Sequence, residues 1–379
     1  MRTMTASTEP GFQTTPNATI LVTGSSGLVG ARLVEMLLLR GAKKVICFDV
    51  APVTPILEER FTKAASGDKT KFDVFSGLTD GNLVNKEAVF KACSLNVDIL
   101  YHIAALVGPF HDRDKYFAVN YTGTMNLLEA CRKYNIGKFI YSSSPSTRFH
   151  GGDVTGQTED ELSFPTKYLQ LYAESKAAAE REVTKACTDS LLTIAVAPHQ
   201  VYGPYDSLFL PSLMETAGNG RLRVFGKGEN KISVCYVDNY CHGLMCGADA
   251  LSPGSNVLGK FYIVTDDVDV YLWKFVNEAA INMGFTDLFS KFHLPVWLLM
   301  SLAYICNVVG FIVNKKFKLS PFNVQMLIIH RYFSIENAKR DLKYKPIVEH
   351  SVAWKSTIEW FKVNWLPKYL EEASSKKQD

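Results

Sequence analysis

The sequence predicts an α/β fold: a doubly wound parallel sheet followed by a smaller C-terminal lobe. Three observations predict it. Ala18 to Thr23 is a short apolar run that ends on Thr23-Gly24-Ser25-Ser26-Gly27-Leu28-Val29-Gly30. Helical periodicity from Gly27 to Arg40 stops at Gly41, and a second apolar run, Lys44 to Phe48, follows. Strand-like and helical stretches then alternate, as parallel strands covered by helices on both faces require.

Taken in order, the elements read as follows. The first fifteen residues are polar with no apolar core, so they carry no secretory signal and are expected to be disordered. The β-turn-α-β unit from Ala18 to Phe48 turns a weak glycine pattern into a strong one. Further strands are expected at Ile99–Ala105, Lys138–Ser143 and Leu192–Ala197, separated by helices such as Asn120–Tyr134 and Tyr172–Ala186. Residues 16–197 are thus read as a Rossmann domain. After Pro198 the pattern loosens into loops, short strands and helices, read as a substrate lobe over 198–365. Residues 366–379 read as a polar tail.

Leu294 to Val313 breaks the pattern, because these residues carry no charge and Lys291 and Lys315-Lys316 flank them. The length matches a membrane-spanning helix of roughly 20 residues. Pro295, Ser301, Asn307 and Gly310 weaken that reading, and a span would put Tyr332–Trp365 across the membrane from the rest. A membrane segment that embeds without crossing fits better, against the alternative of an ordinary buried helix.

Composition narrows the function. A chain of 379 residues, 47% hydrophobic and 21% charged, suits one or two folded domains. A net charge of +3 without a basic stripe argues against nucleic acid as partner. Eight cysteines form no CxxC pair and no metal spacing, and most lie in apolar runs, which reads as a reduced core facing a cytosolic compartment. Cys241, His242 and Cys246 lie close together, but helix packing is the plainer reading than a metal site.

The glycine loop has its own physical logic. Gly24 permits a tight turn, Gly27 lets backbone approach a pyrophosphate, and Gly30 allows close helix–sheet packing. Ser26 and Leu28 complete the loop, and the pyrophosphate rests on amides at the helix N-terminus. Asp49 ends the second strand nineteen residues beyond Gly30. A carboxylate there accepts from a ribose and repels a 2′-phosphate, so the expected cofactor is NAD.

Tyr172 and Lys176 lie one turn apart on one face of a helix. A phenol with an ordinary pKa of about 10 becomes a usable base near neutrality only beside positive charge, and Lys176 and a cationic nicotinamide are the expected sources. The pair is weak alone and strong behind the glycine loop.

With these motifs the chain resembles the extended short-chain dehydrogenase/reductase superfamily. His102-Ile103-Ala104-Ala105, Asn120-Tyr121-Thr122-Gly123-Thr124, Tyr141-Ser142-Ser143-Ser144 and Val201-Tyr202-Gly203-Pro204 stand in matching order from about Ala18 to Trp365. Pro198-His199, Asn219-Gly220 with Gly226-Lys227-Gly228-Glu229-Asn230, Tyr236-Val237-Asp238-Asn239, Gly259-Lys260-Phe261-Tyr262-Ile263-Val264-Thr265 and Phe333-Ser334 with Ala338-Lys339 make it most similar to the 3β-hydroxysteroid dehydrogenase branch, and there to the decarboxylating sterol dehydrogenases. The resemblance implies cofactor contacts from Ala104, Ala105, Asn120, Pro198, Tyr172 and Lys176. It also implies a catalytic serine, for which spacing favours Ser144 over Ser143. Gly77, Ala197 and Gln200 depart from the family pattern, where an aspartate, an arginine and a glycine are usual, and the role of His199 is open.

The activity so implied is NAD-dependent oxidation of the 3β-hydroxyl of a sterol 4α-carboxylate to the ketone, with loss of CO2. A Δ5-3β-hydroxysteroid dehydrogenase/isomerase is the alternative, and a non-catalytic NAD-binding scaffold is the alternative of another class. The implied partners are a sterol, the endoplasmic reticulum membrane, and other enzymes of sterol C4 demethylation, with room for a homodimer. The expected location is the cytosolic face of the endoplasmic reticulum, extending to lipid droplets, and Lys376-Lys377-Gln378-Asp379 fits a dilysine retrieval signal.

Overall fold

The computed structural model describes residues 11–108, 111–313, 317 and 319–375. Its centre is β1 (Thr19–Thr23), whose five residues are all buried, as a strand covered by helices on both faces must be. Seven parallel strands form the main sheet in the order Phe261–Val264 (β11), Leu192–Pro198 (β7), Lys138–Ser142 (β5), Ile99–His102 (β4), β1, Lys44–Asp49 (β2) and Phe72–Ser76 (β3). Successive connections leave β1 toward β2 on one side and enter β4 on the other. A crevice therefore opens at the C-terminal ends of β1 and β4, where Thr23 pairs with His102.

Strand extents differ from the sequence reading at one informative place. The run Ile99–Ala105 stops pairing at His102, because Thr23 Oγ1 accepts the amides of Ile103 and Ala104 at 3.1 Å each and bends the chain out of the sheet.

The second lobe holds a four-stranded sheet in the order Asp269–Tyr271 (β12), Lys231–Ser233 (β9), Arg331–Phe333 (β13) and Val154–Gln157 (β6). A short pair, Val201–Tyr202 (β8) with Cys235–Tyr236 (β10), accompanies it. The division at 197/198 is crossed in both directions: β6 leaves the first part to pair with β13, and β11 returns to pair with β7. A linear reading places strands but not their partners.

Both ends carry ordered residues among those described. Within the expected disordered segment, Thr14 donates its amide and hydroxyl to Asp249 Oδ1 at 2.8 and 2.6 Å, and Thr15 is buried. Within the expected polar tail, Leu366–Ser375 is helical, and Tyr369 stacks on Trp365 with centroids 5.0 Å apart. The dilysine and Lys315-Lys316 lie outside the described residues.

The late apolar run is a helix from Val296 to Ile312, 17 residues long. Leu294 belongs instead to a strand-like bridge, donating to Val224 O and accepting from Gly226 N at 2.9 Å each, and Pro295 caps the helix. Among the described residues no helix is long and apolar enough to cross a membrane, so the spanning reading is not supported. Leu299, Ala303 and Gly310 are its buried residues, whereas Trp297, Ile305, Val308, Phe311 and Ile312 are exposed. A fully buried helix is thereby excluded too.

Candidate active site

The glycine loop leaves β1 and enters the helix Leu28–Leu39. Gly24 has φ +70°, and a Cβ there would sit 2.8 Å from the amide nitrogen of Ala104. A Cβ on Gly30 would meet Gly24 O at 2.0 Å, so the helix approaches the loop only because position 30 has no side chain. Asp49 stands at the end of β2, where its carboxylate accepts from Ser26 N at 2.9 Å and Ala51 N at 2.8 Å.

On the other side of the crevice, β5 ends in three serines that point to different partners. Ser142 Oγ bonds with Tyr240 Oη at 2.6 Å. Ser143 donates to Glu180, which also forms a buried ion pair with Arg148. Ser144 hydrogen-bonds the phenol of Tyr172, and Ser146 Oγ donates to it at 2.9 Å. All three serines line the cavity, and Ser144 is the one whose hydroxyl meets the Tyr172 phenol.

The helix Leu171–Lys185 carries Tyr172 and Lys176. Its inward face includes Ala173, Ala177 and Ala179, small residues that let it lie close on the sheet. Lys176 is buried, its Nζ donates to Ser142 O at 2.6 Å, and it lies 4.0 Å from the Tyr141 ring centroid. Burial pushes the ammonium down to about 7, with Glu180 opposing the shift. Burial pushes the Tyr172 phenol up to about 12, opposed by its bond from Ser144. Desolvation dominates both groups in the cofactor-free protein, where the cationic nicotinamide expected to act with Lys176 on the phenol is not part of the balance.

One cavity of about 1430 Å³ unites these parts. Gly24, Gly27, Leu28, Gly30 and Asp49 line one end; Ala104, Ala105, Pro198 and Lys176 follow; Ser144 and Tyr172 face the remainder. Two expected cofactor residues do not line it. Ser26 turns its amide to Asp49 and its hydroxyl to Ala51 O at 3.2 Å. Asn120 is buried in a π-helical turn, accepting from Leu106 N at 2.8 Å and donating to Leu106 O and Ser175 Oγ. It braces Leu106, which lines the cavity.

Cys241, His242 and Cys246 sit in the helix Val237–Ala250, where Cys246 Sγ contacts His242 Nε2 at 3.4 Å and Cys241 Sγ donates to Val29 O. The sequence reading missed Arg331, which lines the far end of the cavity from β13. No motif marks it; only strand pairing brings it there.

A phosphate-accepting glycine loop and a serine–tyrosine–lysine set opening on one cavity, in a sheet of this order, define an extended short-chain dehydrogenase/reductase. The chain belongs to the 3-beta hydroxysteroid dehydrogenase/isomerase family, whose model matches residues 21–295. It is 29% identical to the sterol-4-alpha-carboxylate 3-dehydrogenase, decarboxylating, of Homo sapiens, over 90% of this chain and 87% of that protein. It is 30% identical to a 2-alkyl-3-oxoalkanoate reductase of Stenotrophomonas maltophilia, over 87% of this chain and 95% of the relative. The fold is shared with a dTDP-glucose 4,6-dehydratase of Bacillus anthracis solved in complex with NAD, at TM-score 0.66 and 20% identity, over 92% and 97% of the two chains.

Proposed function

We propose that this protein oxidises the 3β-hydroxyl of a sterol 4α-carboxylate with NAD, giving a 3-ketone and CO2. The observation that carries this is the single cavity joining the glycine loop to Ser144, Tyr172 and Lys176. The names of the relatives support the substrate: a 4-carboxylated 3-ketosteroid and a 2-alkyl-3-oxoalkanoate are both β-keto acids. The residues present fit the cofactor. Gly24 and Gly30 let the loop and helix pack closely, Gly27 leaves the helix N-terminus open to the cavity, and Asp49 stands where an adenosine ribose would be met.

NAD, when bound, supplies the two-electron acceptor for the C3 hydride. Ser144 holds the substrate oxygen, and Tyr172 Oη takes the hydroxyl proton. Burial raises this phenol to about 12, and Lys176 together with a cationic nicotinamide ring would supply the positive charge that favours its ionised form. Lys176, held on the Ser142 carbonyl on the same cavity wall, would meet the nicotinamide ribose. The resulting β-keto acid needs no further residue: the C4–carboxylate bond breaks, its electron pair enters the ketone as an enolate, CO2 leaves, and a proton returns to C4.

Place follows from the substrate. The exposed apolar face of Val296–Ile312 is proposed to lie in the surface of the endoplasmic reticulum membrane or a lipid droplet, on the cytosolic side. A second copy of the chain and other enzymes of sterol C4 demethylation are proposed partners, which crosslinking in native membranes tests.

The deciding experiment incubates purified protein with NAD and a 4-carboxysterol and follows NADH and CO2 together. Both are expected in equal amounts, and Tyr172→Phe should lose both while retaining NAD binding. NADH without CO2, from a Δ5-3β-hydroxysteroid, would favour the isomerase reading; no turnover of any sterol alcohol would leave the scaffold reading.

A further inference from the structure

The end of the cavity away from the glycine loop is built mainly from apolar side chains, among them Phe149, Leu162, Phe322, Met326 and Phe333. Arg331 stands among them. It lies on β13, an interior strand of the second sheet, and shares the cavity-facing side with Phe333 two residues on. Its guanidinium has two contacts: Nη2 donates to Met326 O at 3.0 Å, and Nη1 lies 3.4 Å from His199 Nε2. Its Nε is buried with no hydrogen-bond partner, and among the described residues it forms no ion pair.

His199 explains how the guanidinium is aimed. Its Nδ1 lies 2.6 Å from Ser233 O, which only accepts, so the ring proton sits on Nδ1 and the lone pair of Nε2 faces Arg331. Burial, aided by the charge of Arg331, pushes this imidazole down to about 3 and keeps it neutral. The carboxylates on the same cavity do not serve Arg331. Asp206 spends both oxygens on the amides of Leu208, Phe209 and Leu210, Glu215 is exposed, and Asp49 belongs to the opposite end.

A desolvated cation without an anion destabilises the protein that carries it. Such a group is retained where a ligand supplies the missing charge, and a guanidinium that lines a cavity suits charge-assisted bonds to a carboxylate. We propose that Arg331, oriented by His199, receives the substrate carboxylate borne on the carbon next to the carbinol that Tyr172 deprotonates. The proposal rests on the reaction read above and explains which β-hydroxy acid the site selects over plain alcohols. A dinucleotide pyrophosphate is not the ligand, because its amide cradle lies at the opposite end of the cavity. Arg331 stays charged throughout the working range, since burial lowers it only to about 10.

The test compares the full-length protein with Arg331→Met and Arg331→Lys on a 4α-carboxy-3β-hydroxysterol and on its 4α-methyl counterpart. Arg331→Met is expected to raise KM for the carboxylated sterol by about 10- to 100-fold, the range for losing a charge-assisted hydrogen-bond pair. It should leave kcat/KM for the methyl sterol and NAD binding unchanged. Arg331→Lys should recover part of the loss. Without ligand, Arg331→Met should melt no lower than the parent, because it removes an unpaired buried charge. Equal losses on both sterols, no loss on either, or a lowered melting temperature with both activities impaired would overturn the assignment while the reaction itself stands. A parent enzyme that releases no CO2 from the carboxylated sterol would instead fail the underlying reading, and the proposal with it.

Discussion

Ser142, Ser143 and Ser144 are chemically alike and adjacent, yet each has a different partner, and two of the partners are structural. Ser144→Ala should lower turnover by about a hundredfold, the scale of losing a positioned proton-transfer partner, with an unchanged melting temperature. Ser143→Ala should spare turnover and lower the melting temperature, because Glu180 loses a donor in a buried network. Steady-state kinetics with a thermal melt separates the two, and the reverse pattern would move the catalytic role to Ser143. Lys176 offers a pH test in the cofactor-free protein. Its folded value near 7 lies below the ordinary 10.5, so below pH 7 both states hold the proton and the full burial penalty applies. As pH rises from about 7 toward 10.5 the folded state releases a proton that the unfolded state keeps, and stability rises. Lys176→Met should melt a few degrees higher at pH 7 and lose that slope; a parallel pH profile would show that the ammonium is not desolvated. Asp49→Ala should weaken NAD binding and narrow the preference over NADP, read as kcat/KM for each cofactor. A parent protein that already prefers NADP would refute the role given to Asp49.

At the scale of elements, the apolar run Leu294–Val313 shows how composition and structure divide the work. Its lack of charge was legible, and so was its unsuitability as a clean span. What the run could not show is that Leu294 is tied to Phe225 as a strand-like bridge, which shortens the helix to 17 residues, or about 25 Å at 1.5 Å per residue. That falls short of a hydrocarbon core of about 30 Å. One face packs on Val324, and the other presents Phe311 and Ile312 to solvent. Phe311→Glu with Ile312→Glu should move the protein from the floating liposome fraction to the bottom of the gradient in a flotation assay. Turnover of a detergent-dispersed sterol should persist. Continued flotation would assign membrane attachment elsewhere.

At the scale of the molecule, the two lobes are interleaved rather than consecutive. β11 closes one edge of the main sheet after β9 has already been laid down for the second sheet, and β6 departs for the second sheet before the first is complete. A fragment comprising residues 16–197 lacks the strand that covers β7 and leaves β6 without β13. It should show no cooperative melting transition, whereas the full chain should unfold in one. A folded, NAD-binding fragment would show that the division at 197/198 is energetically real.

What the residues determined unaided is what depends on near neighbours. The glycine turn, the alternation of strand and helix, the one-turn spacing of Tyr172 and Lys176, and Asp49 at a strand end are local patterns set by backbone sterics and hydrophobic periodicity. The tertiary structure alone decided what depends on distant meetings. His199 and Arg331 are 132 residues apart, Ser143 and Glu180 are 37 apart, and Asp249 captures Thr14 across 235. Such contacts leave no periodic trace, because strand pairing and packing are selected by the free energy of the whole core and not by any short stretch. Arg331 is the sharpest case: one basic residue in an ordinary short strand, given its meaning by the cavity that the fold closes around it.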